Sequence, residues 1–282
     1  MDWLEFVPTY VAQPLGFPFM QRAMIAAIAA GVVCAILSCF LILKGWSLMG
    51  DAISHAVLPG IILAHSAGLP IVIGAVGSGM VCALATGYIK DHCRVKEDAV
   101  MGIVFSGMFA LGLVLFTHID TELHLNHILF GNVLGITPAE LWQMLLIAGA
   151  VSLVILLKRR DLMLYCFDPA QAQVQGLPVK TLHYGLLCLL ALTIVAALQA
   201  VGVLLAIAML ILPGITASLL ARRFDGMLLA AVLASVGSCV TGTLISFHID
   251  GATGPCIVIV QALLFVAAHV YRIARPIPPQ VA

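Results

Sequence analysis

The chain has 282 residues, of which 62% are hydrophobic and only 9% charged, and its 13 basic residues balance its 13 acidic ones. With a mean hydropathy of +1.15, it lacks the polar surface that a soluble domain of this size requires. Composition therefore predicts a polytopic membrane protein, and the continuous rather than alternating apolar runs exclude a β-barrel.

The apolar runs predict an all-α membrane helical bundle with eight or nine transmembrane helices, some of them interrupted by Gly and Pro. The expected spans are 19–43, 46–67, 70–90, 98–118, 139–157, 182–200, 202–220, 226–247 and 254–271. The region from Thr181 to Leu220 suits one broken segment or two short helices, which leaves the count open. Residues 1–18 are predicted to form an N-terminal interfacial segment, 19–272 one transmembrane domain, and 273–282 a tail.

The basic residues are distributed asymmetrically along these spans. All Lys and Arg residues except Arg22 fall in connections on one side, or at the C-terminal end on that same side. The positive-inside rule makes that side cytoplasmic, with the C-terminus inside and the N-terminus outside.

One carboxylate, Asp51, is predicted to lie well inside a span, within GDAISHAVLPG at 50–60. An ionisable group there costs roughly 2.5 to 3.5 kcal/mol on insertion scales, so it usually marks an ion or substrate path. On a helix Ser47, Asp51, Ser54 and His55 share one face and form a polar stripe.

The i, i+4 spacing lets the Asp51 carboxylate and the His55 imidazole reach one cation. This pair of ligand types suits Mn²⁺, Fe²⁺ and Zn²⁺. Two ligands are too few for a site, but two copies on a two-fold axis would supply two Asp and two His. A proton relay and a buried hydrogen bond that fastens helices together are the alternatives that the residues leave open.

A short cytoplasmic helix is predicted at about 168–178. Asp168 is a suitable N-cap, Pro169 occupies the first helical position, and Gly176 follows the last turn. The many glutamines and alanines suit an exposed docking element, with a plain structured loop as the alternative.

The outer connections contain carboxylates and imidazoles but no Lys or Arg. They could concentrate divalent cations at an outer mouth, or they could form a docking surface for an extracytoplasmic partner. The residues are His118, Asp120, Glu122, His124, His127, Glu140, His248 and Asp250.

Several enzymatic motifs are absent from the sequence. It contains no P-loop and no His-Glu-x-x-His, so energy must come from another subunit or from an ion gradient.

Three ordered motifs resemble the permease subunits of bacterial metal-ion ABC importers over roughly 21–272. They are LMGDAISHAVLPG at 48–60, DPAQAQVQGLP at 168–178 and GVLLAIAMLILPG at 202–214. The chelated manganese/iron (zinc/manganese/iron) permeases of Gram-negative bacteria are the most similar group.

This resemblance implies a vitamin B12/metal-importer-like ABC permease fold and a homodimer in the bacterial inner membrane. It implies two cytoplasmic ATPase subunits that supply the ATP hydrolysis, and a periplasmic metal-binding protein. No intrinsic cofactor, no enzymatic activity and no nucleic-acid partner are expected, since Mn²⁺, Fe²⁺ or Zn²⁺ would be the transported substrate.

The resemblance also assigns roles to residues. It implies that Asp51 and His55 are the central metal ligands. It makes 168–178 the ATPase-coupling helix, with Asp168, Pro169, Ala172 and Gly176 as its defining residues. The competing functions are a stand-alone secondary metal transporter or proton-coupled channel, and a membrane scaffold or enzyme.

Overall fold

The computed structural model describes residues 13–46, 48–118 and 133–274, which fold into a helical bundle. A helical turn at Gln13–Leu15 precedes the first long helix, and a short 3-10 turn at Val133–Gly135 precedes the sixth. The helices are α1 (Pro18–Lys44), α2 (Met49–Ala56), α3 (Leu58–Ser66), α4 (Ile71–His92), α5 (Glu97–His118), α6 (Pro138–Leu157), α7 (Arg159–Phe167), α8 (Pro169–Val174), α9 (Val179–Val201), α10 (Val203–Leu220), α11 (Phe224–Ile249) and α12 (Thr253–Ala274). No strand occurs in this part of the chain, which confirms the predicted all-α class.

Eight of the described helices are long and apolar enough to cross a membrane: α1, α4, α5, α6, α9, α10, α11 and α12. Helices α2 and α3 are each too short, but end to end they cover about 27 Å, close to the thickness of the hydrocarbon core. They therefore form one interrupted crossing. The predicted bundle of eight or nine crossings, some of them broken, is confirmed.

The region from Thr181 to Leu220 forms two helices, α9 and α10, separated only by Gly202. Gly202 has φ 83° and ψ 169°, a conformation that essentially only glycine adopts. The chain reverses there, as the neighbours of the two helices demonstrate.

Helix α9 begins at the end of the bundle where α1 terminates, because Tyr165 contacts both Lys44 and His183. Helix α10 runs parallel to α1 and ends at that same end, since Met209 lies against Gly31 and Gly214 against Ser38. We call this the basic end of the bundle, because α1, α4, α6, α10 and α12 all finish there beside Lys or Arg residues.

The helix α1 lies at the centre of the bundle and is almost wholly buried along its second half. Its Ser38 bonds the backbone of α10 on both sides of Pro213, which lies inside that helix and has no N–H to donate. The Ser38 hydroxyl donates to the carbonyl of Ile211 at 3.3 Å and accepts the Gly214 N–H at 3.1 Å. A proline is tolerated inside a membrane helix where neighbouring helices bond the surrounding backbone groups.

Candidate functional site

The residues Asp51 and His55 lie one turn apart on α2, as their spacing predicts. Nε2 of His55 is 3.3 Å from Oδ1 of Asp51. The preceding residue, Gly50, packs against Leu210 near the middle of α10, so the pair lies at mid-depth in the bundle rather than at its edge.

The pair occupies the one face of α2 that its own chain leaves uncovered. The side chains of His55 and Asp51 are 31% and 39% exposed, whereas every other α2 residue is buried. The imidazole is flanked by two rings of α5, with centroid distances of 6.2 Å to Phe105 and 5.4 Å to Phe109. One acid–imidazole pair with an aromatic wall therefore faces away from the protomer.

A break in the helix follows the pair immediately. Pro59 has no N–H to donate to the carbonyl one turn earlier, and α2 ends at Ala56. The Ser78 hydroxyl of α4 donates a hydrogen bond to the Ala56 carbonyl. Gly60 then lies so close to the backbone carbonyl of Gly74 that a Cβ on either residue would overlap the other helix. Helix α4 thus contacts the end of α2, the helix that carries Asp51 and His55.

Ser54, a serine of the predicted polar stripe, is placed differently from the pair. The Ser54 hydroxyl donates to the carbonyl of Gly50 at 2.7 Å, and Ser54 is only 6% exposed. Ser47 lies outside the described residues. The structure therefore brings Asp51 and His55 together on the open face, while Ser54 bonds within its own helix.

Among the described residues, Asp51 and His55 are the two donors on the open face. No group of three or more His, Cys, Asp or Glu side chains in the described ranges could hold a metal ion.

Within the region 168–178, for which a helix is predicted, the structure has the shorter helix α8 at Pro169–Val174, with Asp168 as its N-cap. The Asp168 carboxylate accepts the backbone N–H groups of Ala170 at 2.9 Å and Gln171 at 3.0 Å. Pro169 is the first helical residue, and Gly176, with φ 78°, ends the turn in the left-handed conformation. Ala172 is fully buried and attaches α8 to the bundle, whereas the other residues of α8 are exposed.

Four side chains connect the segment that leads into α2 with the segment that leads into α8. The Lys44 ammonium lies 4.2 Å from the centroid of the Tyr165 ring, and the Tyr165 hydroxyl is 2.7 Å from Nδ1 of His183. The centroids of the His183 and Trp46 rings lie 5.3 Å apart, and the rings pack edge to face. We call these residues the junction cluster. No periodicity or motif marks them, because they come from three separate parts of the chain.

The outer residues are only partly within the described ranges. His118 and His248 are exposed at the outer ends of α5 and α11, and each Nδ1 bonds a carbonyl of its own helix. Asp250 is exposed in a left-handed conformation that ends α11. Glu140 forms a capping box with Thr137, which gives it a local structural role. The remaining predicted outer residues, Asp120, Glu122, His124 and His127, lie outside the described residues.

Comparisons with known proteins identify chains that are similar in sequence and in fold. The chelated iron transport system membrane protein YfeD of Yersinia pestis is 70% identical over 267 residues, covering 95% of this chain and 90% of that protein. The manganese transport system membrane protein MntB of Synechocystis is 53% identical over 262 residues, covering 93% and 85%. A chain in the solved structure of PsaBC from Streptococcus pneumoniae in complex with Fab has a TM-score of 0.83 at 37% identity, covering 93% and 95%.

The model of the ABC 3 transport family matches residues 16–272, and the chain belongs to this family. The resemblance drawn from the three motifs is thereby confirmed. The protein is a multi-pass membrane permease subunit of an ABC transport system, a transport subunit rather than an enzyme.

Proposed function

We propose that this chain imports divalent transition-metal ions, Mn²⁺ or Fe²⁺ with Zn²⁺ as a third candidate, through a site formed by Asp51 and His55. The observation that carries the proposal is the 3.3 Å acid–imidazole pair on the uncovered face of α2. The names of the relatives, which refer to manganese and chelated iron, support the choice of metals. Carboxylate with imidazole is a donor set suited to all three ions.

The functional unit in this proposal is a homodimer. One chain contributes two donors, so two copies related by a two-fold axis contribute four, enough for a four-coordinate site or for a larger shell completed by water. The exposed orientation of the pair supports this arrangement, because a closed shell needs donors from outside the protomer. Ser47 and Ser54 remain predicted supporting residues of the stripe.

Two ATPase subunits are proposed to bind at the basic end, with α8 as the coupling helix. The exposed residues of α8 and the adjoining Phe167, which is 80% exposed, support a docking role. The junction cluster supplies a route from α8 to α2, since Tyr165 lies three residues before Asp168 and Trp46 lies three residues before Met49. Movement of α8 would therefore displace the beginning of the ligand-bearing helix.

The concentration of Lys and Arg residues at the basic end supports a particular orientation in the bacterial inner membrane. If that end is cytoplasmic, the C-terminal tail 273–282 is inside and the interfacial segment 1–18 is outside. A periplasmic metal-binding protein would then dock on the outer surface, near His118, His248 and Asp250. The outer residues outside the described ranges keep their predicted role as an outer mouth.

Alternating access is the proposed mechanism. The binding protein delivers a metal ion to the outward-open dimer, where desolvated carboxylates and neutral imidazoles hold it. ATP-driven closure of the ATPase subunits then moves α8 and opens the basic end. Release follows because the four donors lose their common geometry.

Reconstitution tests the proposal against a stand-alone transporter or proton-coupled channel, in which the same pair acts as a proton relay. The purified chain is placed in liposomes alone and, in parallel, with its ATPase and binding-protein partners, and internal Mn²⁺ is measured with a trapped fluorescent chelator. We expect uptake only with the full system and ATP. Metal flux through the chain alone would support the stand-alone alternative and contradict the ABC mechanism.

A further inference from the structure

A cavity at the basic end adjoins the segment that leads into α8 and is lined by neither Asp51 nor His55. It consists of two adjoining hollows of about 280 and 360 Å³, which share Met163, Arg223 and Phe224 in their walls. The hollows lie between α7, the last residues of α1 and α10, and the first turn of α11. Phe167 in its wall also belongs to the surface proposed for ATPase docking, but the space itself has no role in the transport cycle described above.

Four arginines line the cavity against a single carboxylate. Arg159 pairs with Asp225 at 3.1 Å. Arg160, Arg222 and Arg223 have no carboxylate partner within the described part of the chain. The cavity therefore carries three uncompensated guanidinium groups, and such groups bind phosphate oxygens through paired hydrogen bonds.

The larger hollow also has an apolar wall. Leu43, Leu164, Phe167 and Met227 line it. Leu43 is the penultimate residue of α1, and Met227 is a buried residue of α11. The apolar wall thus begins within membrane-crossing helices and ends at the arginines, the same order of polarity that a phospholipid presents from its acyl chain to its head group.

We propose that this cavity binds an anionic phospholipid of the surrounding membrane. Arg160, Arg222 and Arg223 hold the phosphate, and an acyl chain lies against Leu43 and Met227. Basic pockets between transmembrane helices on the cytoplasmic side are suited to anionic head groups. An acidic protein surface would match the arginines, but it would leave the apolar depth between the helices unfilled.

The test uses the complete transporter, stripped of lipid in detergent, with phosphatidylglycerol as the probe. Binding is followed by native mass spectrometry and by the shift in unfolding temperature. The Arg160→Gln/Arg222→Gln variant should bind phosphatidylglycerol at least about tenfold more weakly, because two charged hydrogen-bonding groups are lost. The matched control, Arg94→Gln/Lys96→Gln, removes the same charge from the connection between α4 and α5 and should bind as the wild type does.

Further arms identify the ligand. Phosphatidylcholine should bind weakly to all variants, and inorganic phosphate should not displace phosphatidylglycerol, because the apolar wall contributes to lipid binding. Arg160→Lys/Arg222→Lys should bind with intermediate affinity and serves as the readout if the Gln variant fails to fold. Three results would each overturn the proposal. They are equal weakening of lipid binding in the control variant, displacement of phosphatidylglycerol by inorganic phosphate, and an Arg160→Gln/Arg222→Gln variant that loses the ATPase subunits but binds lipid as the wild type does.

Discussion

Replacement of Asp51 by Asn separates a metal ligand from a residue that merely holds helices together. Asn retains the size of the side chain and one oxygen, but it removes the negative charge. Substitutions of residues that only support metal ligands weaken metal binding about 10- to 100-fold. A change in both copies of the dimer alters two of the four proposed donors directly, so binding should weaken by at least about 100-fold, or about 2.8 kcal/mol.

The assay measures initial Mn²⁺ uptake over a range of concentrations in proteoliposomes that contain the full transporter. Asp161→Asn is the matched control, because this carboxylate forms only an exposed pair with Lys158 at 3.4 Å. Exposed pairs contribute little to stability, about 0–1 kcal/mol, and Asp161 lies far along the chain from α2. The control should transport at the wild-type rate.

Uptake by Asp51→Asn within twofold of wild type, with normal amounts of assembled complex, would refute the assignment of Asp51 as a ligand. A lower unfolding temperature with unchanged uptake would instead identify the pair as a structural link between helices. Loss of proton flux without loss of metal binding would favour the relay.

The other predictions concern packing, coupling and titration. Gly60→Ala should lower the free energy of unfolding by about 1–3 kcal/mol, and with it the unfolding temperature, because the added Cβ would overlap α4. Gly77→Ala should have no such effect, because its Cβ would meet no atom within 4 Å. Tyr165→Phe, which removes the hydroxyl from the junction cluster, should raise the ATP hydrolysed per metal ion transported, and Tyr184→Phe should leave that ratio unchanged. Burial raises the pKa of Cys166 to about 12, only partly offset by the nearby Lys44 ammonium, so its reactive thiolate is scarce at neutral pH and maleimide should label it only after unfolding. Acidification should weaken metal binding in an equilibrium titration, because protons compete with the metal ion for the imidazole and carboxylate donors.

Much of the fold was predictable because the membrane imposes a simple rule. A helix must present about 20 apolar residues to cross the hydrocarbon. Local composition therefore predicts the spans, their polar ends and the side of the membrane that carries the basic residues. The caps of α8 were equally local, since Asp168, Pro169 and Gly176 act on backbone groups within a few residues. The face shared by Asp51 and His55 follows from helical periodicity alone.

Other features depend on residues distant in sequence. The sequence predicts a span at 46–67 in a bundle with interrupted helices, and the structure places the break after Ala56, where Ser78 of another helix bonds the free carbonyl. Whether 181–220 made one crossing or two was decided at Gly202, whose neighbours belong to different helices.

The sequence by itself therefore determined that this chain crosses a membrane many times and carries an acid–imidazole pair inside it, because hydropathy and helical spacing are properties of neighbouring residues. Only the tertiary structure decided that the pair faces outward from its own protomer, that Lys44, Trp46, Tyr165 and His183 meet, and that arginines from two connections surround one cavity. These contacts join separate segments of the chain, and they depend on how the helices pack against one another rather than on the pattern within any one of them.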